Sequence, residues 1–124
     1  EEWYEHVVYS NLYKVAPPSG NPTDTICGTQ WEYVTEIFKK EIKTLSPKFV
    51  VMFAGKCWAD DFVWYVNGKK KPEPLETIEW DENYGYEINI YKIEEVYYLI
   101  TEHPQGKNET LHAQAIIDTI EKYK

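Results

Sequence analysis

No arginine occurs among the 124 residues, so the 13 basic positions are all lysine, set against 21 acidic residues for a net charge of -8. A chain that grips nucleic acid along many phosphates usually relies on guanidinium forks and counterion release, and this composition argues against an extensive contact of that kind by these residues alone. Cysteine is almost as scarce. Cys27 and Cys57 are too few for a four-thiolate metal site or a disulfide-stapled secreted scaffold, so a free thiol pair in an intracellular, cytoplasmic protein is the expectation. Long hydrophobic runs are missing too: Phe49 to Ala54 and Val96 to Ile100 fall far short of the about 20 residues that span a bilayer, and no membrane partner is expected. CxxC, HExxH, a Gly-rich phosphate loop and a GxSxG elbow are all absent, which removes the sharpest enzyme motifs. The sequence opens at Glu1-Glu2 without methionine or a basic and apolar leader, and a truncated N-terminus is expected from this.

What is abundant is aromatic. With 5 Trp, 11 Tyr and 4 Phe in a chain that is 43% hydrophobic, a disordered tail or linker is excluded, and one domain covering residues 1–124 around one core is expected. The lysine groups Lys39, Lys40 and Lys43, and Lys69 to Lys71, read as solvated surface.

The run His6 to Tyr13 is β-branched and aromatic and stops at Pro17-Pro18, as a strand followed by a loop would. Thr23 or Asp24 then caps a long helix, in which Val34, Ile37, Phe38, Ile42 and Leu45 repeat at the helical period until Ser46-Pro47. Phe49 to Ala54 is continuously apolar, the mark of a strand buried on both faces and ordinarily parallel to its neighbours. Strand, helix and buried strand form a βαβ unit. The expected fold is therefore α/β, a three-layer α/β/α arrangement with a mostly parallel central sheet plus an added antiparallel hairpin. The later segments are a short helix over 58–66, period-two strands over 75–80, 86–93 and 96–101, and a final helix from Glu109 to Tyr123 with Ala113, Ile116, Ile117 and Ile120 inward.

In an open α/β sheet the ligand crevice lies beyond the carboxyl ends of the strands, which singles out Asn11 to Pro22, Gly55 to Ala59 and His103 to Asn108. Each loop sets a small or fixed-backbone residue beside a polar group; three ordinary turns would look the same.

The stretch SNLYKVAPPSGNPTDTICGTQWEYVTEIFKKEIKTLSPKFVVMFAGKCWADDF resembles the middle of the uracil-DNA glycosylase superfamily: a strand ending in Asn, a lysine and paired prolines, Asn-Pro, a helix and a buried strand. The strand leading into HPQGKN is similar to that superfamily's second catalytic motif. The likeness covers about 7–66 and 96–123. It implies hydrolysis of the N-glycosidic bond of a flipped base in DNA, a DNA-repair activity, with DNA as partner and no cofactor or metal. Asn11 would read the base through its amide, and His103 would be catalytic, its neutral ring donating to the carbonyl of the departing base. Gly55 would lie against the substrate, Gly20, Asn21 and Pro22 against the backbone, and Pro104, Gln105, Gly106, Lys107 and Asn108 would press on the minor groove. Ordinary roles stand beside these: Asn11 as a strand-end side chain bonding its own turn, and His103 as a loop histidine packed before proline.

Two features depart from the family. Its first motif, a Gly-rich turn carrying the group that positions water, would precede residue 1, and Val15 stands where iron-sulfur members have cysteine, so no cluster is expected. Asp60 and Asp61 are the one acidic pair near a strand end available to replace the missing group, though a helix N-terminus or a solvated face suits them better. Three readings follow: a glycosylase whose leading strand lies upstream, a relative without catalysis that binds a nucleotide, nucleic acid or protein, and an unrelated acidic interaction module.

Overall fold

The computed structural model describes residues 2–124, the side chain of Trp3 excepted; Glu1, where the sequence suggests a truncated start, lies outside the described residues. After a short 3₁₀ turn at Trp3–Glu5 come α1 (Asp24–Leu45), β1 (Phe49–Met52), α2 (Lys56–Val66), β2 (Glu76–Asp81), β3 (Tyr86–Ile93), β4 (Val96–Thr101) and α3 (Glu109–Tyr123). Among the described residues no helix is long and apolar enough to cross a membrane.

The sheet order is β1-β4-β3-β2, and only β1 and β4 run parallel. This corrects the expected mostly parallel sheet: the antiparallel strands are not a hairpin added to it but most of the sheet itself. Two tight connections, 82–85 and 94–95, fold β2, β3 and β4 back on one another, and connections that short permit only antiparallel neighbours. The apolar run at β1 does belong to a parallel strand, since its one neighbour, β4, runs parallel to it. Helices cover the sheet on both sides, α1 and α2 on one face and α3 on the other, so β1 faces apolar neighbours whichever way its side chains point.

The expected first strand is also absent. Residues 6–13 form no regular element, although their propensity favours β. The next residues are bound to α1 instead: the backbone N–H groups of Lys14 and Val15 both donate to Gln30 Oε1 at 3.0 Å, and Gln30 Nε2 donates to Val15 O at 2.7 Å. Leu12 and Tyr13 pack against the core formed by α1, α2 and the sheet. With Gln30 buried, these bonds fix the chain on the helix layer, and no βαβ unit precedes β1.

Phe62 lies at the centre of the first core, meeting Tyr13, Trp31 and Phe38 edge-on with ring centroids 5.3 to 5.5 Å apart. The second core sets Ile88, Ile90 and Leu99 under α3. There the inward face is His112, Ala115, Ile116, Thr119, Ile120 and Tyr123, whereas Ala113 and Ile117 face solvent.

Candidate functional site

Parallel pairing of β1 with β4 brings two strand ends together, and the loops that leave them touch. Gly55 N–H donates to Thr101 O at 2.9 Å. Gly55 has φ of +75°, and a Cβ there would stand 3.5 Å from the Glu102 carboxylate. The residue is glycine for its backbone conformation, since a Cβ at that distance would be in ordinary contact. Glu102 thereby brings a negative charge to the residue that caps the N-terminus of α2, where the helix dipole favours an anion.

After Glu102 the chain makes a compact turn. His103 is exposed, its Nδ1 accepting from Gln105 N–H at 3.2 Å, and Lys107 N–H donates to Pro104 O at 3.2 Å. Gly106 supplies the positive φ, +75°. Asn108 is the N-cap of α3, its Oδ1 accepting from Leu111 N–H at 3.1 Å. Lys107 Nζ lies 5.1 Å from the centroid of the Tyr86 ring.

Behind this turn stands an aromatic column that sequence reasoning missed. Tyr84 stacks on Tyr86 at 5.4 Å, Tyr86 leans on Trp80 at 5.3 Å, and Trp80 lies flat on His112 with centroids 4.2 Å apart and planes 3° from parallel. Phe53 also meets His112 edge-on, with centroids 5.7 Å apart. The column runs from Tyr84, 72% exposed, to His112, 3% exposed. A register break at Trp80 opposite Tyr86 turns these rings together, as bulges often do. The visible signal was the placement of Trp80, Tyr84 and Tyr86 around the turn Asp81 to Gly85, but nothing local shows that His112 joins them.

His112 Nε2 and Thr101 Oγ1 are 2.8 Å apart, both buried. Burial, with Lys107 adding to it, lowers the histidine pKa, while Glu102 pulls the other way. The ring is therefore held neutral and serves to fix α3 on the end of β4.

The structure separates the residues that the resemblance would join. Gly55 and His103 to Asn108 share the carboxyl edge of β1 and β4. Gly20, Asn21 and Pro22 precede α1 at that same end of the domain, because Tyr13 bridges Cys27 in the first turn of α1 and Trp58 in the first turn of α2. Asn11 does not belong to this group. Tyr9 donates to its side chain, Lys14 Nζ to its carbonyl, and the flanking Ser10 and Lys14 are bound to Glu41 one turn before the end of α1. That helix end leads in three residues to the start of β1, so Asn11 lies toward the opposite edge from His103.

Asp60 forms an ion pair with Lys56, 3.1 Å away and one turn earlier on α2. Lys56 also donates to the Tyr91 hydroxyl at 3.1 Å; burial lowers the lysine pKa, but the bonds to Tyr91 and Asp60 outweigh this and raise it. The pair lines an open groove of about 500 Å³, walled by Trp31, Trp64 and Pro72. Among the described residues no cluster of His, Cys, Asp and Glu could hold a metal.

Comparison with known proteins finds no match. Neither a protein-family model nor a curated protein nor a solved structure matches this chain. The column and the turn beside it are accordingly read from their own chemistry. They offer an exposed ring face and one cation.

Proposed function

We propose that the carboxyl edge of β1 and β4 is a non-catalytic binding site for a single nucleotide, the base stacking on Tyr84 and the phosphate lying beside Lys107. The observation that carries this reading is the Lys107 ammonium poised over Tyr86, whose stacking partner Tyr84 is largely exposed. A ring that accepts a base and a cation within reach of its phosphate is the minimal unit of nucleotide recognition. One such lysine in a chain of charge -8 favours a mononucleotide or a very short single strand over an extended duplex. Glu102 at the α2 N-terminus opposes a phosphate there and steers it toward Lys107. The different anchoring of Asn11, beside Ser10 and Lys14 on Glu41, and of His103, in its own turn, favours binding without glycosidic hydrolysis, since amide readout and oxyanion support must meet on one base.

Stacking of about 1–3 kcal/mol and one charge-assisted contact of similar size correspond to affinity near the millimolar range. Amide chemical shifts of Gly85, Gly106 and Lys107 followed during titration with UMP, AMP and a short oligothymidylate test the reading. Saturable shifts are expected, weakened several-fold by Tyr84→Ala or Lys107→Ala and falling with salt. Shifts indifferent to both substitutions would refute the site. Incubation with uracil-containing single-stranded and double-stranded DNA, followed by alkaline cleavage, should show negligible excision; robust excision lost in His103→Ala would restore the glycosylase reading.

A further inference from the structure

The two edges of the sheet are unequally protected. On the β2 side the strand carries Glu76, Glu79 and Asp81 and a register break at Trp80, the devices that discourage pairing with another chain. The β1 side is less guarded: Pro47 and Lys48 stand at its start, but the strand itself, Phe49-Val50-Val51-Met52, is free of charge, proline and bulge. Tyr97 N–H donates to Lys48 O at 2.9 Å, and in a parallel ladder this turns the peptide groups of residues 48, 50 and 52 toward β4. The peptide groups of Phe49 and Val51 therefore face outward. Among the described residues no backbone hydrogen bond reaches them.

The same chain contains a segment suited to that edge. Val7, Val8 and Tyr9 have strong β propensity, form no regular element and are 59%, 66% and 86% exposed. They leave the body where Ser10 is bound to Glu41, close to the end of α1 and hence to the start of β1. Charge is complementary at this place. Glu2 and Glu5 precede the valines, while Lys43 and Lys48 flank the start of β1. Glu5 set against Lys48 aligns the arm parallel to β1, with Val7 to Tyr9 beside Val50 to Met52.

We propose that residues 6–10 add as a parallel strand to the β1 edge of a second copy of this chain, each copy lending its arm to the other. The exchange is self-complementary, so it closes as a two-fold dimer and does not propagate. It satisfies the outward peptide groups of Phe49 and Val51 and covers two exposed valines, the mode of strand addition at open sheet edges.

Sedimentation equilibrium over a wide concentration series tests this, with hydrogen exchange of the Phe49 and Val51 amides measured alongside. The native chain should dimerise, and both amides should become more protected as dimer forms. Successive residues of a strand turn their N–H groups to opposite sides, so one of Val7→Pro and Val8→Pro removes a donor the new ladder needs. At least one should weaken the dimer by about tenfold or more. Both positions are exposed, and an unchanged melting temperature of the dilute variants verifies that the fold is intact. Glu5→Lys should weaken association as well. A chain that stays monomeric throughout, a dimer untouched by either proline, or protection of Phe49 and Val51 in the monomer through the chain's own arm would each overturn the proposal.

Discussion

Replacing Thr101 by valine isolates the bond that fixes α3 to the end of β4. Thr101 is 1% exposed and His112 3% exposed, and their side chains meet at 2.8 Å. The hydroxyl also lies 3.3 Å from Glu87 O. Valine matches threonine in shape, so no cavity opens and the loss is polar: a buried imidazole nitrogen without a partner costs about 1–3 kcal/mol. For a chain of this size that corresponds to a fall in melting temperature of roughly 4 °C per kcal/mol. The cost should grow in acid. Burial, and then Lys107, hold the folded pKa of His112 below its ordinary 6.5, so the unfolded chain binds the proton more readily. This contribution to stability is complete above 6.5 and is lost as pH falls through the folded value. Valine also removes the acceptor an imidazolium could still use, which depresses the folded pKa further. Urea unfolding of both proteins at about pH 8 and about pH 5.5, followed by tryptophan fluorescence, measures the difference directly. A loss under about 0.5 kcal/mol, or one that does not increase at the lower pH, would refute the assignment of Thr101 and His112 as a buried, neutral pair.

Phe62→Ala, at a fully buried ring with three edge-on aromatic neighbours, should cost about 3–5 kcal/mol in denaturant unfolding; a loss below about 2 kcal/mol would show that the α1–α2 core collapses around the gap. Burial, with Glu94 adding to it, pushes the Tyr98 hydroxyl up to about 12, so in an alkaline spectrophotometric titration Tyr98→Phe should remove one phenol from the late end of the curve, where Tyr13, Tyr65 and Tyr123 are also raised. The Glu76 carboxyl is held below its usual value by Lys122 and then Tyr123, each bonded to it at 2.6 Å. Glu76→Gln should lower the melting temperature at neutral pH, and the deficit should fade as pH falls below the ordinary carboxylate value of 4.5 and through the folded one; a constant deficit would refute the pairing.

Elements whose signal is local were legible in the sequence, and pairings were not. The period of Val34, Phe38 and Ile42, with Thr23 before it and Ser46-Pro47 after it, located α1; alternation and turn residues located β2, β3 and β4. The continuous apolar run at Phe49 to Met52 does mark a strand with helices on both faces and a parallel neighbour, but it says nothing of how the other strands pair. Two short antiparallel connections then decide the topology, which makes connection length more informative here than the composition of any one strand. On α3 the helix was correctly bounded, but ranking residues by hydropathy turned it wrongly: Ala113 and Ile117 face water while His112 and Thr119 are buried. Each polar side chain has its own partner, Thr101 for His112 and the Ala115 carbonyl for Thr119, so burial costs little and the apolar count misleads.

The site shows the same division between local and distant signals. A turn written as His-Pro-Gln-Gly-Lys-Asn announces its glycine at positive φ and its helix cap, and both occur as the sequence suggests. Whether Asn11 joins that turn depends on residues 6–13 forming a strand of the sheet, and two contacts from α1 decide against it. Gln30 takes two backbone N–H groups and gives one bond back, a set of buried, specific bonds that β propensity, itself dependent on context, does not override. Glu41 then accepts from Ser10 and Lys14 and holds the segment along the helix. Gln30 and Glu41 stand 11 residues apart on α1, close to three helical turns, so they lie on one stripe. Two polar side chains at that spacing, on a line otherwise held by Val34 and Ile37, are the clue in the sequence that a neighbouring extended segment packs along the helix and stays out of the sheet.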